Sequence, residues 1–254
     1  MEIIVNNVVI NYEKVGHGEP VIVMHGWDQN LEMMYSIVNN LKENYLVYNI
    51  DLPGFGQSDE PAFSYTLDDY ELFLEEFIKQ NKIVNPILVG HSFGCRIAIK
   101  YAIKNDNLNK LILTGAAGIK DRFSIVRAFK IYVYKFFKLF KDVPFVRHYI
   151  QEMMDNSGSE DYRNSSPIMK GVLKNTINED LLNVLEKIKV PTLLIFGSKD
   201  DATPLWMGET MNKEIVDSKL IVYEGATHFA YLEQKDRFNK DVNDFLRDGE
   251  INDR

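Results

Sequence analysis

Apolar residues in this chain fall into short, bounded runs separated by longer stretches in which they recur every three or four positions. Val21-Ile22-Val23-Met24, Ile87-Leu88-Val89, Leu111-Ile112-Leu113 and Leu193-Leu194-Ile195-Phe196 are runs of the first kind, the pattern of strands buried on both faces. The pattern predicts strands near 2–5, 8–14, 21–25, 45–50, 86–90, 109–114, 192–197 and 219–223. It predicts helices near 30–43, 66–81, 93–105, 204–213 and 230–247. The first two strands read as a hairpin, and the alternation that follows implies an α/β fold, a mostly parallel central sheet with helices on both faces. In such sheets ligands bind beyond the carboxyl ends of the strands.

The interval 118–188 breaks this rhythm, being too long for one crossover and helical rather than strand-like in pattern. The organisation expected is therefore a core in two parts, 1–117 and 189–254, with a helical insertion at 118–188. Within the insertion Ile125, Val126, Phe129, Tyr132, Val133, Phe136, Phe137 and Phe140 share one helix face, with Arg127, Lys130, Lys135, Lys138 and Lys141 on the other. That helix either packs its aromatic face on the body, lines a substrate pocket with Phe136, Phe137 and Phe140, or touches an anionic lipid surface transiently through its basic face. Tyr162 and Arg163, in the polar stretch that follows, are further pocket candidates.

Composition narrows the function. A chain of 254 residues is long enough for a large single core, and a net charge of −8 argues against nucleic acid as a partner. One cysteine, Cys95, makes no internal disulfide, and no cluster of metal-ligand residues is visible. Met1 to Asn7 lacks the basic start and apolar run of a signal peptide, and no window has the apolar length of a membrane-spanning helix. The expectation is a cytoplasmic protein without stable membrane insertion; its oligomeric state is not legible.

The chemistry is concentrated at Gly90-His91-Ser92-Phe93-Gly94, a G-x-S-x-G run between an apolar strand and a helical pattern. Strand, sharp turn and helix in that order present a serine hydroxyl as a nucleophile. A serine needs a base and a group to orient that base. Of five histidines, His17 lies in an early polar loop, His25 precedes a backbone-donor loop, His91 adjoins the serine with its ring poorly directed, and His148 lies within helical pattern. His228 remains, between the strand ending at Tyr223 and the last helix. The orienting acid should follow the preceding strand, where Asp200 and Asp201 are adjacent. Asp200, three residues after Gly197, is the better placed; Asp201 is expected to be a solvated or capping carboxylate.

With these residues in order, the chain resembles the α/β-hydrolase superfamily, as a capped, esterase-like serine hydrolase. Val21 to Trp27 looks like that family's third strand and His-Gly oxyanion loop, and Asp51-Leu52-Pro53-Gly54-Phe55-Gly56-Gln57-Ser58 looks like its D-x-P-G-x-G-x-S turn. The resemblance implies that the insertion is a cap over the active site and that the backbone N–H groups of Trp27 and Phe93 form the oxyanion hole. Cys95 stands where many members have glycine and is expected to pack tightly between helix and strand. Asp28, after the oxyanion tryptophan, either disfavours anionic acyl groups or caps the helix that starts near Asn30.

The expected activity is hydrolysis of a small or medium carboxylic ester, or a thioester, through an acyl-enzyme on Ser92, with His228 moving the proton, Asp200 orienting His228 and no cofactor. Serine at the elbow disfavours the family's aspartate-dependent reactions. Two other readings stand beside it: a carbon-carbon bond hydrolase of ring-fission products, suggested by Phe93 in the elbow, and a non-catalytic ligand-binding protein on the same fold.

Overall fold

The computed structural model describes residues 1–105, 107–120 and 165–247. Among the described residues eight strands form one sheet: β1 (Glu2–Val5), β2 (Val8–Gly16), β3 (Glu19–Met24), β4 (Tyr45–Ile50), β5 (Ile87–His91), β6 (Lys110–Thr114), β7 (Thr192–Gly197) and β8 (Ser218–Tyr223). Their order across the sheet is β1-β2-β4-β3-β5-β6-β7-β8. β1 and β2 form the antiparallel hairpin and β2 pairs antiparallel with β4; every later pairing is parallel.

Burial follows the apolar runs. β5 and β7 are buried at every position, whereas β1 and β8 at the edges are only partly covered. Alternate residues serve two cores, as the period of a strand requires. On one face Ile22, Met24, Leu88, Leu111, Leu113, Leu194 and Phe196 pack with α2 (Leu67–Gln80), α3 (Phe93–Ala102), α4 (Pro167–Ile177) and α5 (Leu205–Glu214). On the other, Val21, Val23, Val89, Ile112, Leu193 and Ile195 pack with α1 (Tyr35–Leu41), α6 (Ala230–Glu233) and α7 (Lys235–Arg247).

α2 starts at a reciprocal capping box: Thr66 Oγ1 accepts from the Asp69 N–H at 3.3 Å, and Asp69 Oδ2 accepts from the Thr66 N–H at 2.7 Å. Its inward stripe of Leu67, Tyr70, Phe73, Leu74, Phe77 and Ile78 has helical spacing and buries against the sheet. Two expected helices are divided. The segment near 30–43 opens with a 3-10 turn at Leu31–Met34 before α1. The terminal segment near 230–247 breaks at Gln234, whose backbone leaves helical geometry while its side-chain amide donates to the Glu224 carbonyl. Among the described residues no helix is long and apolar enough to cross a membrane.

The described end of the 118–188 interval is fastened to the body. Met169, Val172, Leu181, Leu185 and Ile188 join the first core. Buried Arg96, on α3, donates from Nη1 to the carbonyls of Thr176 at 3.1 Å and Glu179 at 2.9 Å. Lys100, one turn further along α3, bridges Glu179 at 2.6 Å and Asp68 of α2 at 2.9 Å. Arg96→Ala should lower stability by about 3 kcal/mol, because two carbonyls lose a charged donor in a site that water does not readily refill. Lys79→Ala, which breaks an exposed pair with Glu76, should have almost no effect in the same urea titration. Equal, small losses for both would show that Arg96 does not anchor the segment.

Candidate active site

β5 leads directly into the turn at Ser92, which sits at φ 50° and ψ −106°, and α3 starts at the next residue. A side chain with a Cβ rarely adopts this geometry. The turn is tight on both sides: a Cβ at Gly90 would lie 2.7 Å from the Cys95 nitrogen, and one at Gly94 would lie 2.5 Å from the Met24 carbonyl oxygen. Four backbone bonds hold it. The Ser92 N–H donates to Thr114 O at 3.1 Å, Ser92 O accepts from Cys95 at 3.1 Å and Ala117 at 3.3 Å, and the Gly94 N–H donates to His25 O at 3.1 Å.

Across the sheet, β7 ends at Gly197 and the following loop buries Asp200. Asp200 Oδ1 accepts from the N–H groups of Ala202 at 2.9 Å and Thr203 at 2.8 Å. Oδ2 accepts from Thr203 Oγ1 at 2.8 Å and from His228 Nδ1 at 2.8 Å. Burial alone would raise the Asp200 pKa, but the bonds from His228 and Thr203 outweigh it and hold the carboxyl below the ordinary aspartate range. With its Nδ1 proton given to an ionised carboxylate, His228 presents a bare Nε2, the form a general base requires.

The half-buried His228 ring lies against His91, with centroids 4.7 Å apart, and against Phe229 at 5.5 Å. His91 is fully buried and its Nδ1 donates to Thr114 O at 3.1 Å. Burial first, then the neighbouring His228, pushes its pKa down to about 3. His25, also fully buried, is pushed by burial down to about 4. Ser92 Oγ makes no hydrogen bond among the described residues. In unliganded sites the bond from nucleophile to base is often long and tightens when substrate binds.

Backbone donors near Ser92 divide into engaged and free. Gly26 N–H donates to Gln29 Oε1 at 3.1 Å, while Gly94 and Cys95 use theirs in holding the turn. The N–H groups of Trp27 and of Phe93, first residue of α3, have no acceptor among the described residues. Their rings pack edge to face at 5.3 Å, with Phe55 wedged against Trp27 at 4.9 Å.

The alpha/beta hydrolase fold family matches residues 19–235 of the chain. The chain belongs to that family. It is 29% identical to the AB hydrolase superfamily protein YisY of Bacillus subtilis (strain 168), over 94% of this chain and 96% of that protein. It is 25% identical to a pimeloyl-(acyl-carrier protein) methyl ester esterase of Legionella pneumophila (strain Corby), over 94% of this chain and 99% of that one. Among solved structures, an esterase from Exiguobacterium antarcticum superposes with a TM-score of 0.76 at 28% identity, covering 97% of this chain and 98% of that chain. This α/β-hydrolase is an enzyme of the hydrolase class.

Of the residues expected from sequence, the structure joins Asp200 to His228, puts Ser92 on the elbow and leaves the Trp27 and Phe93 N–H groups free. Asp201 is exposed. Asn30, not Asp28, caps the 3-10 turn, accepting from the Glu32 N–H at 3.0 Å. Asp28 instead holds a positive φ of 54° at the rim of a groove of about 740 Å³ that also takes in Glu32, Tyr35 and Phe55. Cys95 is fully buried, its Sγ 3.6 Å from Thr114 O. Phe136, Phe137, Phe140, Tyr162 and Arg163 lie outside the described residues. Sequence reasoning missed Thr203, which braces both Asp200 oxygens and comes within 3.3 Å of His228 Nδ1. Its one local signal is the D-x-x-T spacing that favours side-chain-to-backbone bonds in a loop.

The two buried histidines set a pH dependence of stability. In the unfolded chain each takes a proton near its ordinary value of 6.5, whereas in the folded chain His25 waits until about 4 and His91 until about 3. The unfolded state therefore binds more protons below 6.5, and stability falls with pH through that window, with a limiting slope of about 2.7 kcal/mol per unit for two protons. Urea midpoints measured from neutral pH down to about 4.5 should drop steadily; about half the slope would mean that one ring is charged in the folded protein, and a flat profile that both are.

Proposed function

We propose that this hydrolase cleaves a carboxylic ester, or a thioester, by acyl transfer through Ser92. The observation that carries the reading is the 2.8 Å bond from His228 Nδ1 to Asp200 Oδ2, made beside the Ser92 elbow and leaving Nε2 as a proton acceptor. In the first step Ser92 Oγ attacks the ester carbonyl carbon while His228 Nε2 takes its proton. The resulting oxyanion accepts from the Trp27 and Phe93 N–H groups, each such donor being worth about 3 kcal/mol to the transition state. Collapse of the tetrahedral intermediate breaks the bond to the alkoxide or thiolate, which takes the proton from His228. Water then repeats the sequence on the acyl-enzyme, returning Ser92 and releasing the acid.

Ester cleavage draws support from the relatives, one called a methyl ester esterase and one called an esterase. Asp28 and Glu32 on the groove beside the oxyanion loop disfavour an anionic substrate end on that side. In this reading the 118–188 interval is the cap, and Phe136, Phe137, Phe140, Tyr162 and Arg163 are its substrate-facing candidates.

The test is a series of nitrophenyl esters of increasing acyl length, run beside a thioester and a ring-fission diketone. Esters should be turned over, and Ser92→Ala should abolish the activity. Asp200→Asn should lower kcat by about 10⁴, the scale seen when the orienting acid of such a triad is lost, whereas Asp201→Asn should do little. Preference for the diketone over every ester would replace this reading with carbon-carbon bond cleavage; no turnover of any substrate would favour a binding protein.

A further inference from the structure

His25 lies fully buried beyond the end of β3 and uses both ring nitrogens. The Leu52 N–H can only donate, and it points at His25 Nε2 from 3.0 Å, so Nε2 must be the unprotonated nitrogen. The proton of the neutral ring is then on Nδ1, which donates to the Gly26 carbonyl at 2.7 Å. Burial, which holds the ring neutral, keeps this assignment stable.

The peptide from Gly26 to Trp27 is trans, since no cis bond occurs among the described residues. In a trans peptide the C=O and the following N–H point in opposite directions. Fixing the Gly26 oxygen against His25 therefore aims the Trp27 N–H the other way. The His25 backbone carbonyl meanwhile accepts from the Gly94 N–H on the elbow helix, so one residue bonds both the Gly26 carbonyl, whose peptide carries the Trp27 N–H, and the residue after Phe93.

The Leu52 N–H is itself held in place. Asp51 Oδ1 accepts from Leu31 N–H at 2.7 Å, and Oδ2 accepts from Gln57 N–H at 2.9 Å and Asn11 Nδ2 at 2.8 Å. Ser58 Oγ donates to Asp51 O at 2.7 Å, closing the turn from its other end.

We propose that His25, locked by the Leu52 N–H into its Nδ1-protonated form, is a positioning residue that turns the Gly26–Trp27 peptide so that the Trp27 N–H faces the developing oxyanion. The inference rests on the acyl-transfer reading of Ser92. Without the lock the peptide is free to turn over, presenting the Gly26 oxygen where negative charge develops. The Asp51-to-Ser58 turn then acts on catalysis from outside the site, by choosing which nitrogen of a buried histidine carries the proton.

Two substitutions separate the functions of the ring. His25→Asn places an amide N–H near the position of Nδ1 and keeps a donor for Gly26 O, while His25→Gln reaches the position of Nε2 and keeps only the acceptor for Leu52. His25→Gln should lose about a hundredfold in kcat with KM little changed, and His25→Asn should retain most of kcat. Equal losses in the two, or no loss in His25→Gln, would overturn the proposal. Independently of any variant, nitrogen-15 NMR of the wild-type protein at about pH 6 should show a neutral His25 ring with its proton on Nδ1; a proton on Nε2 would overturn it even if the variants fail to fold. A fluorophosphonate probe on the wild-type protein tells the two readings apart. Absence of label on Ser92 removes the acyl-transfer reading and the catalytic role of His25 with it, whereas a labelled Ser92 beside an unimpaired His25→Gln removes the positioning role alone.

Discussion

The turn at Ser92 is the constraint around which the site is arranged. A non-glycine residue in so sparsely populated a conformation costs on the order of 1–3 kcal/mol and persists only where its surroundings over-determine it. Here they do: Thr114 on the next strand, Ala117 in the loop after it, Cys95 on α3 and His25 just past the end of β3 on the other side all bond the turn through backbone groups. Because β5 lies between β3 and β6 in a parallel register, the loops after all three strands emerge at the same edge. The pairing of β6 with β7 brings the loop carrying Asp200 to that edge as well.

Asp200, His25 and His91 are each held at this edge by backbone groups, although His91 Nε2 has no hydrogen-bond partner among the described residues. Asp200 takes two N–H bonds from its own loop, and His25 and His91 each give a ring proton to a carbonyl. Each bond fixes a protonation state as well as a position. Asp200 stays ionised, His25 and His91 stay neutral, and His228 alone is only half buried and has its second nitrogen available. This arrangement fits acyl transfer, where dipoles already in place cost no reorganisation when charge develops.

Much of this was legible in the sequence because it depends on local pattern. The strands follow from apolar runs with matching burial, the elbow from glycines on either side of a serine, and Asp200 and His228 from their place after β7 and β8. What escaped depends on loop backbone geometry and on contacts that the apolar spacing does not encode. The break at Gln234 is accompanied by a bond to Glu224, and nothing in the apolar spacing of the last helix marks it. Asp28 and Asn30 are both good caps by residue type, and only the backbone of the loop, which puts Asp28 at positive φ, decides between them. Likewise the D-x-P-G-x-G-x-S turn is visible as a motif, but its grip on His25 through the Leu52 N–H is not, since it spans 27 residues.

Acyl transfer through Ser92 is tested most directly by catching the covalent intermediate during turnover. Wild-type enzyme mixed with a nitrophenyl ester and quenched with acid within the first turnover should carry the mass of the acyl group, mapped by peptide analysis to Ser92. The adduct should be absent from Ser92→Ala. An active enzyme that accumulates no adduct while releasing nitrophenol in a stoichiometric burst, or one whose acyl group maps to another residue, would contradict the assignment of Ser92 as nucleophile.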